Sequence, residues 1–88
     1  MAEIEIRVKE VLKRVLELNE EIERLRPEDS LAVLPLNSLN FVKLVVNLEF
    51  EFGIEFAEED IEFERFQTFG ELIGYIQERL SHGETDSV

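Results

Sequence analysis

Seven apolar residues, Ile4, Val8, Val11, Val15, Leu18, Ile22 and Leu25, recur at alternating steps of four and three. That spacing brings each side chain back to one side of an α-helix, whereas a strand would scatter the same residues over both faces. Leu12 and Leu16 widen the stripe. The first part of the chain is therefore expected to be an amphipathic helix. Asn19 offers it a stop before Leu25. Pro27 bars continuation beyond Arg26, because proline has no N–H to give and disfavours helical geometry in the residue before it.

The same logic divides the rest. Residues 27–37 are bracketed by Pro27 and Pro35 and carry Leu31, Val33, Leu34 and Leu36, so a long loop that packs on the core is expected. A central helix is predicted from Asn37 or Ser38 to about Phe52. Asn37 is a good N-cap, Leu36 and Phe41 stand at the spacing of a hydrophobic staple, and Gly53 suits the left-handed position that ends a helix. Leu39, Val42, Leu44, Val45, Val46, Leu48 and Phe52 give this helix more than one apolar face, which suggests a central place. Residues 54–66 are mixed. Glu58, Glu59 and Asp60 suit a first helical turn, and a short helix is expected at about 57–64. Thr68 and Glu71 form a capping box ahead of Phe69, Leu72, Ile73, Ile76 and Leu80, which mark a closing helix. The polar tail SHGETDSV is expected to be disordered. The expectation is an all-α fold over 1–80, a small four-helix bundle with a long loop between helices one and two, and a tail at 81–88.

Charge and composition exclude several functions. The chain has 88 residues, and 21 Asp+Glu stand against 9 Lys+Arg, a net charge of −12. So short a chain reads as one domain. Phosphate-backbone binding rests on Lys and Arg, so a nucleic-acid partner is not expected, nor is an anionic membrane surface. Hydrophobic residues make up 44%, enough to build a core. No apolar run approaches the roughly 18 residues of a transmembrane helix. MAEIEIRVKE lacks the layout of a signal peptide, so a cytoplasmic monomer is expected. The chain has no cysteine, hence no disulfide, no thiol nucleophile and no Cys-based metal site. The single histidine, His82, lies in the polar tail without the partners a Ser/His/Asp device needs. Glu58-Glu59-Asp60 lacks the ligand spacing and central glycine of a calcium loop. No catalytic residue and no metal site are expected.

One motif stands out. Leu36-Asn37-Ser38-Leu39 places a serine at the start of the central helix, directly after a loop, and the helix leaves through Glu49-Phe50-Glu51-Phe52-Gly53-Ile54. With TFGELIGYI in the closing helix, this order resembles the acyl carrier protein family over residues 4–80. The resemblance implies a four-helix carrier fold that is not itself an enzyme. It also implies that Ser38 carries 4′-phosphopantetheine, installed from coenzyme A by a phosphopantetheinyl transferase. The implied further partners are acyl- or aminoacyl-loading enzymes and condensing enzymes. Carriers of primary fatty-acid synthesis have Asp before the serine and acids along the second helix. Here Asn37, Asn40, Lys43 and Phe50 stand instead. That departure suggests a specialised polyketide, nonribosomal peptide or modified-lipid carrier, read by its partners through Asn37, Leu39, Lys43, Val46 and Phe50. Phe56, Phe63 and Phe66 either fill or line the space between the helices. If they fill it, a short or polar cargo stays outside. Two alternatives stay open: a housekeeping fatty-acid carrier, and an unmodified adaptor that binds a partner through helix two.

Overall fold

The computed structural model describes residues 2–86, with the side chains of Ala2, Phe63 and residues 82–86 outside the described set. The Phe63 ring, the side chains of His82 and its neighbours to Asp86, and residues 87–88 of the expected tail therefore lie outside the described residues. Four α-helices run in chain order: α1 (Ala2–Leu16), α2 (Glu20–Glu23), α3 (Ser38–Phe52) and α4 (Phe69–Asp86). Three short 3₁₀ turns, Leu31–Val33, Glu58–Asp60 and Phe63–Arg65, punctuate the connections. Among the described residues there is no strand, only an isolated antiparallel bridge between Ser30 and Thr68.

The apolar stripe of the first 25 residues is buried, but two helices bury it. α1 stops at Leu16, and Glu17 takes a left-handed backbone with φ of 56°. Asn19, the expected stop, instead sits at the N-cap of α2. In one continuous helix residues 9 and 23 would lie about 21 Å apart. Here Lys9 Nζ donates to the Glu23 carbonyl at 3.1 Å, and Lys13 pairs with the Glu23 carboxylate. α2 is thus folded back beside α1, where Ile22 and Leu25 reach the core.

Val8, Val11 and Leu12 of α1 join Phe41, Leu44, Val45 and Leu48 of α3 and Phe69, Leu72 and Ile76 of α4 in a single core. The loop after α2 packs as expected, with Leu31 and Leu34 buried and Leu36 half-buried, while Val33 is exposed. α3 ends as expected, with Gly53 at φ 65°. Its exit is held by Glu49, whose carbonyl accepts from Gly53 N–H and whose carboxylate accepts from Phe56 N–H at 2.8 Å.

Two expectations are corrected here. No α-helix spans 57–64: that stretch holds two 3₁₀ turns. Its backbone makes short-range bonds such as Asp60 N–H to the Ala57 carbonyl at 2.9 Å, and other contacts fix the segment in that form. Ala57 N–H donates to the Tyr75 hydroxyl at 3.0 Å, and the Arg65 guanidinium pairs with Asp60 at 2.9 Å. The capping box at α4 also differs in one bond. Thr68 Oγ1 accepts from Glu71 N–H at 3.1 Å, but the Glu71 carboxylate reaches Gln67 N–H at 2.9 Å rather than the N–H of Thr68. The helix backbone of α4 continues to Asp86, past the expected end at Leu80.

Candidate functional site

Ser38 is the first helical residue of α3, and it is exposed. Its position follows from the residues around it. Asn37 is extended, with φ of −141°, and its Oδ1 accepts from the N–H groups of Leu39 and Asn40, both at 2.9 Å. The first-turn N–H groups of a helix have no intrahelical acceptor, so this bond pattern stabilises the start. The return bond comes from Asn40, whose Oδ1 accepts from Asn37 N–H at 2.7 Å. The sequence marks Asn37 as the cap, but the part of Asn40 in closing the box was missed. An Asn three residues after an Asn cap was the available signal.

Ser38 opens onto a surface groove of about 330 Å³ that it lines together with Phe41, Val42, Ile61, Glu62 and Glu64. Phe41, which lines the groove, belongs to a cluster of aromatic side chains. Phe41 and Phe66 have ring centroids 6.3 Å apart, Phe66 meets Tyr75 edge-on at 5.2 Å, and Phe56 lies 4.8 Å from Tyr75. Phe56 and Phe66 are 6% and 3% exposed, so both rings are buried between the helices. Burial pushes the Tyr75 hydroxyl above its ordinary pKa, while the Arg65 hydrogen bond holds the Asp60 carboxyl below its own.

The other marked residues of α3 fall on its outer side. Leu39 is 78% exposed, Phe50 86% and Val46 43%, with Lys43 exposed between them. Val42, at 47%, borders the same strip. α3 is central on one side only: one face joins the core with α1, while Leu39, Val46 and Phe50, expected to be read by partners, stand on the open face. Asn37 stands apart from the strip, because its side-chain oxygen is occupied by the cap. Among the described residues no group of three or more His, Cys, Asp or Glu is placed to hold a metal ion, and no helix is long and apolar enough to cross a membrane.

A family model described as a phosphopantetheine attachment site matches residues 7–76, from α1 through the Ser38 turn into α4. Members of that family bear 4′-phosphopantetheine covalently and act in general as carriers served by phosphopantetheinyl transferases and other enzymes. The match takes in most of the chain and all four helices, so this all-helical protein belongs to the phosphopantetheine-binding carrier family, and its cofactor is covalent 4′-phosphopantetheine.

Proposed function

We propose that the chain acts as a carrier, with no catalysis of its own, and that Ser38 is the attachment residue. The exposed hydroxyl at the first position of α3, at the mouth of an open groove, carries this reading. The residues present fit the group: no side chain covers Ser38, and a helix N-terminus favours the negative charge of a phosphodiester. In the loading reaction Ser38 Oγ would attack the pantetheine-bearing phosphorus of coenzyme A. Adenosine 3′,5′-bisphosphate would leave, and the hydroxyl proton would pass to a base of the transferase. Once bound, the group supplies a terminal thiol able to hold an acyl or aminoacyl chain as a thioester, a function that a cysteine-free chain cannot supply itself.

The partner surface is the outer strip of α3, Leu39, Lys43, Val46 and Phe50, together with the α3 start at Asn37. Among the described residues, four of the six exposed large hydrophobic ones, Leu39, Val42, Val46 and Phe50, lie on this one helix, and such patches mark interaction sites. Lys43 is the only base between residues 27 and 64. Covering the strip would desolvate its ammonium, which is costly without a counter-charge. The matching enzyme surface is therefore apolar with a carboxylate opposite Lys43, the reverse of the basic patch that reads an acidic carrier. This supports a specialised polyketide, nonribosomal peptide or modified-lipid carrier over a housekeeping fatty-acid one. The aromatic filling of the interior supports a short or polar cargo held outside the bundle. The reading places the carrier in the cytoplasm as a monomer, where coenzyme A and loading and condensing enzymes are at hand.

Incubation with coenzyme A and a broad-specificity phosphopantetheinyl transferase, followed by intact mass measurement, tests the reading. A gain of one phosphopantetheinyl group, abolished in Ser38→Ala, is expected. No gain with several transferases would instead favour an unmodified adaptor.

A further inference from the structure

The two asparagines that flank Ser38 do more than end a helix. Asn40 uses both ends of its amide. Its Oδ1 accepts from Asn37 N–H at 2.7 Å, and its Nδ2 donates to the Pro35 carbonyl at 2.8 Å. Only one orientation of the amide satisfies both, because the exchanged one would set donor against donor and acceptor against carbonyl. The side chain thus closes a ring from Pro35 to Asn40, and Ser38 sits inside that ring. Upstream the loop is anchored at Leu31 and Leu34, which are buried, and by Leu31 N–H donating to the Gln67 carbonyl at 2.8 Å. Between Leu34 and the helix the anchoring is sparser. Pro35 has no N–H, and Leu36 N–H turns back to the Leu34 carbonyl at 2.8 Å. Asn40 is the side chain that joins this last stretch of loop to the helix.

We infer that Asn40 is a positioning residue for the modification of Ser38: its two-ended amide fixes the loop against the first turn and so fixes where the serine hydroxyl is presented. The inference rests on the reading of Ser38 as the attachment residue. Its chemistry is specific to an amide. An ionised Asp at 40 keeps the acceptor for Asn37 N–H but has nothing to donate to Pro35, and it sets a carboxylate against a carbonyl oxygen. Ala at 40 loses both bonds. Neither change touches the buried core. Asn37 still caps Leu39 in both variants, so the fold is expected to survive. Loading of a serine by a separate enzyme depends on the geometry of the attacking oxygen, and small misplacements of a reacting atom lower rates steeply.

The test uses the full chain, coenzyme A and one purified phosphopantetheinyl transferase, with initial rates measured across carrier concentration for the native chain, Asn40→Asp and Asn40→Ala. Circular dichroism establishes that each variant is folded. Both variants are expected to lose roughly tenfold or more in kcat with KM nearly unchanged, since positioning acts on the reacting geometry rather than on docking. Faster amide exchange at Leu39 to Phe41 in both variants is expected alongside. Native kcat in Asn40→Asp would overturn the inference, because that variant has lost the donor to Pro35 and sets a carboxylate against its carbonyl. A rise in KM at native kcat would also overturn it, since Asn40 would then be a docking contact. Absence of loading in the native chain itself would bring down the Ser38 reading and this inference together. Loading of the native chain with all three kcat values equal would bring down the inference alone.

Discussion

The two long helices that follow loops, α3 and α4, begin with the same local device and use it differently. Each has a capping side chain at N-cap and a partner three residues on: Asn37 with Asn40, Thr68 with Glu71. The start of α4 is also fastened from outside. Gly70 N–H donates to the Pro27 carbonyl at 2.8 Å, Phe69 N–H donates to the Asp29 carbonyl at 3.0 Å, and the Phe69 ring is fully buried. The start of α3 has its Ser38 and Leu39 side chains in solvent, and its ties run through two neutral amides and one loop carbonyl. One start anchors the long loop. The other holds a serine outward at the end of that loop.

The sharpest way to break this contrast is to loosen both starts at once. Phe66 precedes α4 by three residues and meets Phe41, in the first turns of α3, at 6.3 Å between ring centroids. Phe66→Ala removes a ring that is 3% exposed and is expected to cost about 3–5 kcal/mol, measurable by urea unfolding. If the aromatic filling is what keeps cargo outside, the same variant should also begin to shelter a long acyl thioester from hydrolysis. Unchanged hydrolysis in the native and Phe66→Ala carriers would leave the filling without that role.

A smaller effect separates the caps by function. Thr68→Ala and Asn37→Ala each remove one capping side chain, and each is expected to lower stability by about 1 kcal/mol. They should differ in loading. Thr68→Ala leaves the Ser38 turn intact and is expected to load at near-native rate, whereas Asn37→Ala frees the turn and slows loading. Equal loading by the two would erase the distinction between anchor and presenting end.

Glycines of α4 give a change of sign. A Cβ on Gly70 would stand 3.0 Å from the Pro27 carbonyl oxygen and 3.3 Å from the Pro27 Cβ, whereas one on Gly74 would meet nothing within 4 Å. Gly74→Ala is therefore expected to raise stability by about 0.5–1 kcal/mol, the helix-propensity gain. In Gly70→Ala the gain is offset by displacing the very carbonyl that Gly70 N–H holds, and the net effect is a loss of about 1 kcal/mol. Thermal unfolding of both variants reads the difference, and a gain in Gly70→Ala would mean that the loop anchor yields freely.

Much of this contrast was legible in the residue pattern, and the exceptions have physical causes. Asn37, Gly53 and Thr68 announce helix ends because their chemistry is local. The break after α1 was legible in part: Asn19 offered a stop, but the helix ends at Leu16 with Glu17 left-handed, and the return of Ile22 and Leu25 on a second helix was hidden because both stay in phase with α1. The acids at 58–60 imitate a helical first turn, but the fate of that segment is decided by Tyr75 and Arg65, which lie 18 residues from Ala57 and five from Asp60. The apolar residues of α3 were visible, and the departure from an acidic helix two already pointed outward for Leu39, Val46 and Phe50, which are exposed. Ser38 itself was legible from its motif. The grip of Asn40 on Pro35 was not, since it depends on where the loop returns.

The finest difference between the two starts is in titration. No ionisable side chain lies between Pro35 and Asn40, so the α3 clamp is made of groups that keep their protonation at every working pH. The other side holds a titrating pair, Asp60 in the segment leading into α4 and Tyr75 on α4 itself. The folded Asp60 carboxyl lies below its ordinary pKa, chiefly through its hydrogen bond from Arg65. Its contribution to stability is therefore present above the ordinary carboxylate range and is lost as pH falls through the lowered value. The folded Tyr75 hydroxyl is raised, first by burial, so its contribution is present below its ordinary value and is lost as pH rises through the raised one. A chain of net charge −12 is also relieved of self-repulsion as acid is added, which runs against the Asp60 effect. The pair is thus read from difference curves. Stability of the native chain minus that of Arg65→Gln should shrink on the acid side, and native minus Tyr75→Phe on the alkaline side with a smaller change on the acid side, because the Tyr75 hydroxyl also helps to lower the Asp60 carboxyl. Amide exchange at Leu39 and Asn40 should follow neither curve once intrinsic exchange chemistry is divided out. If protection there instead tracked the Asp60 transition, the two helix starts would be one coupled unit rather than an anchor and an independent presenting end.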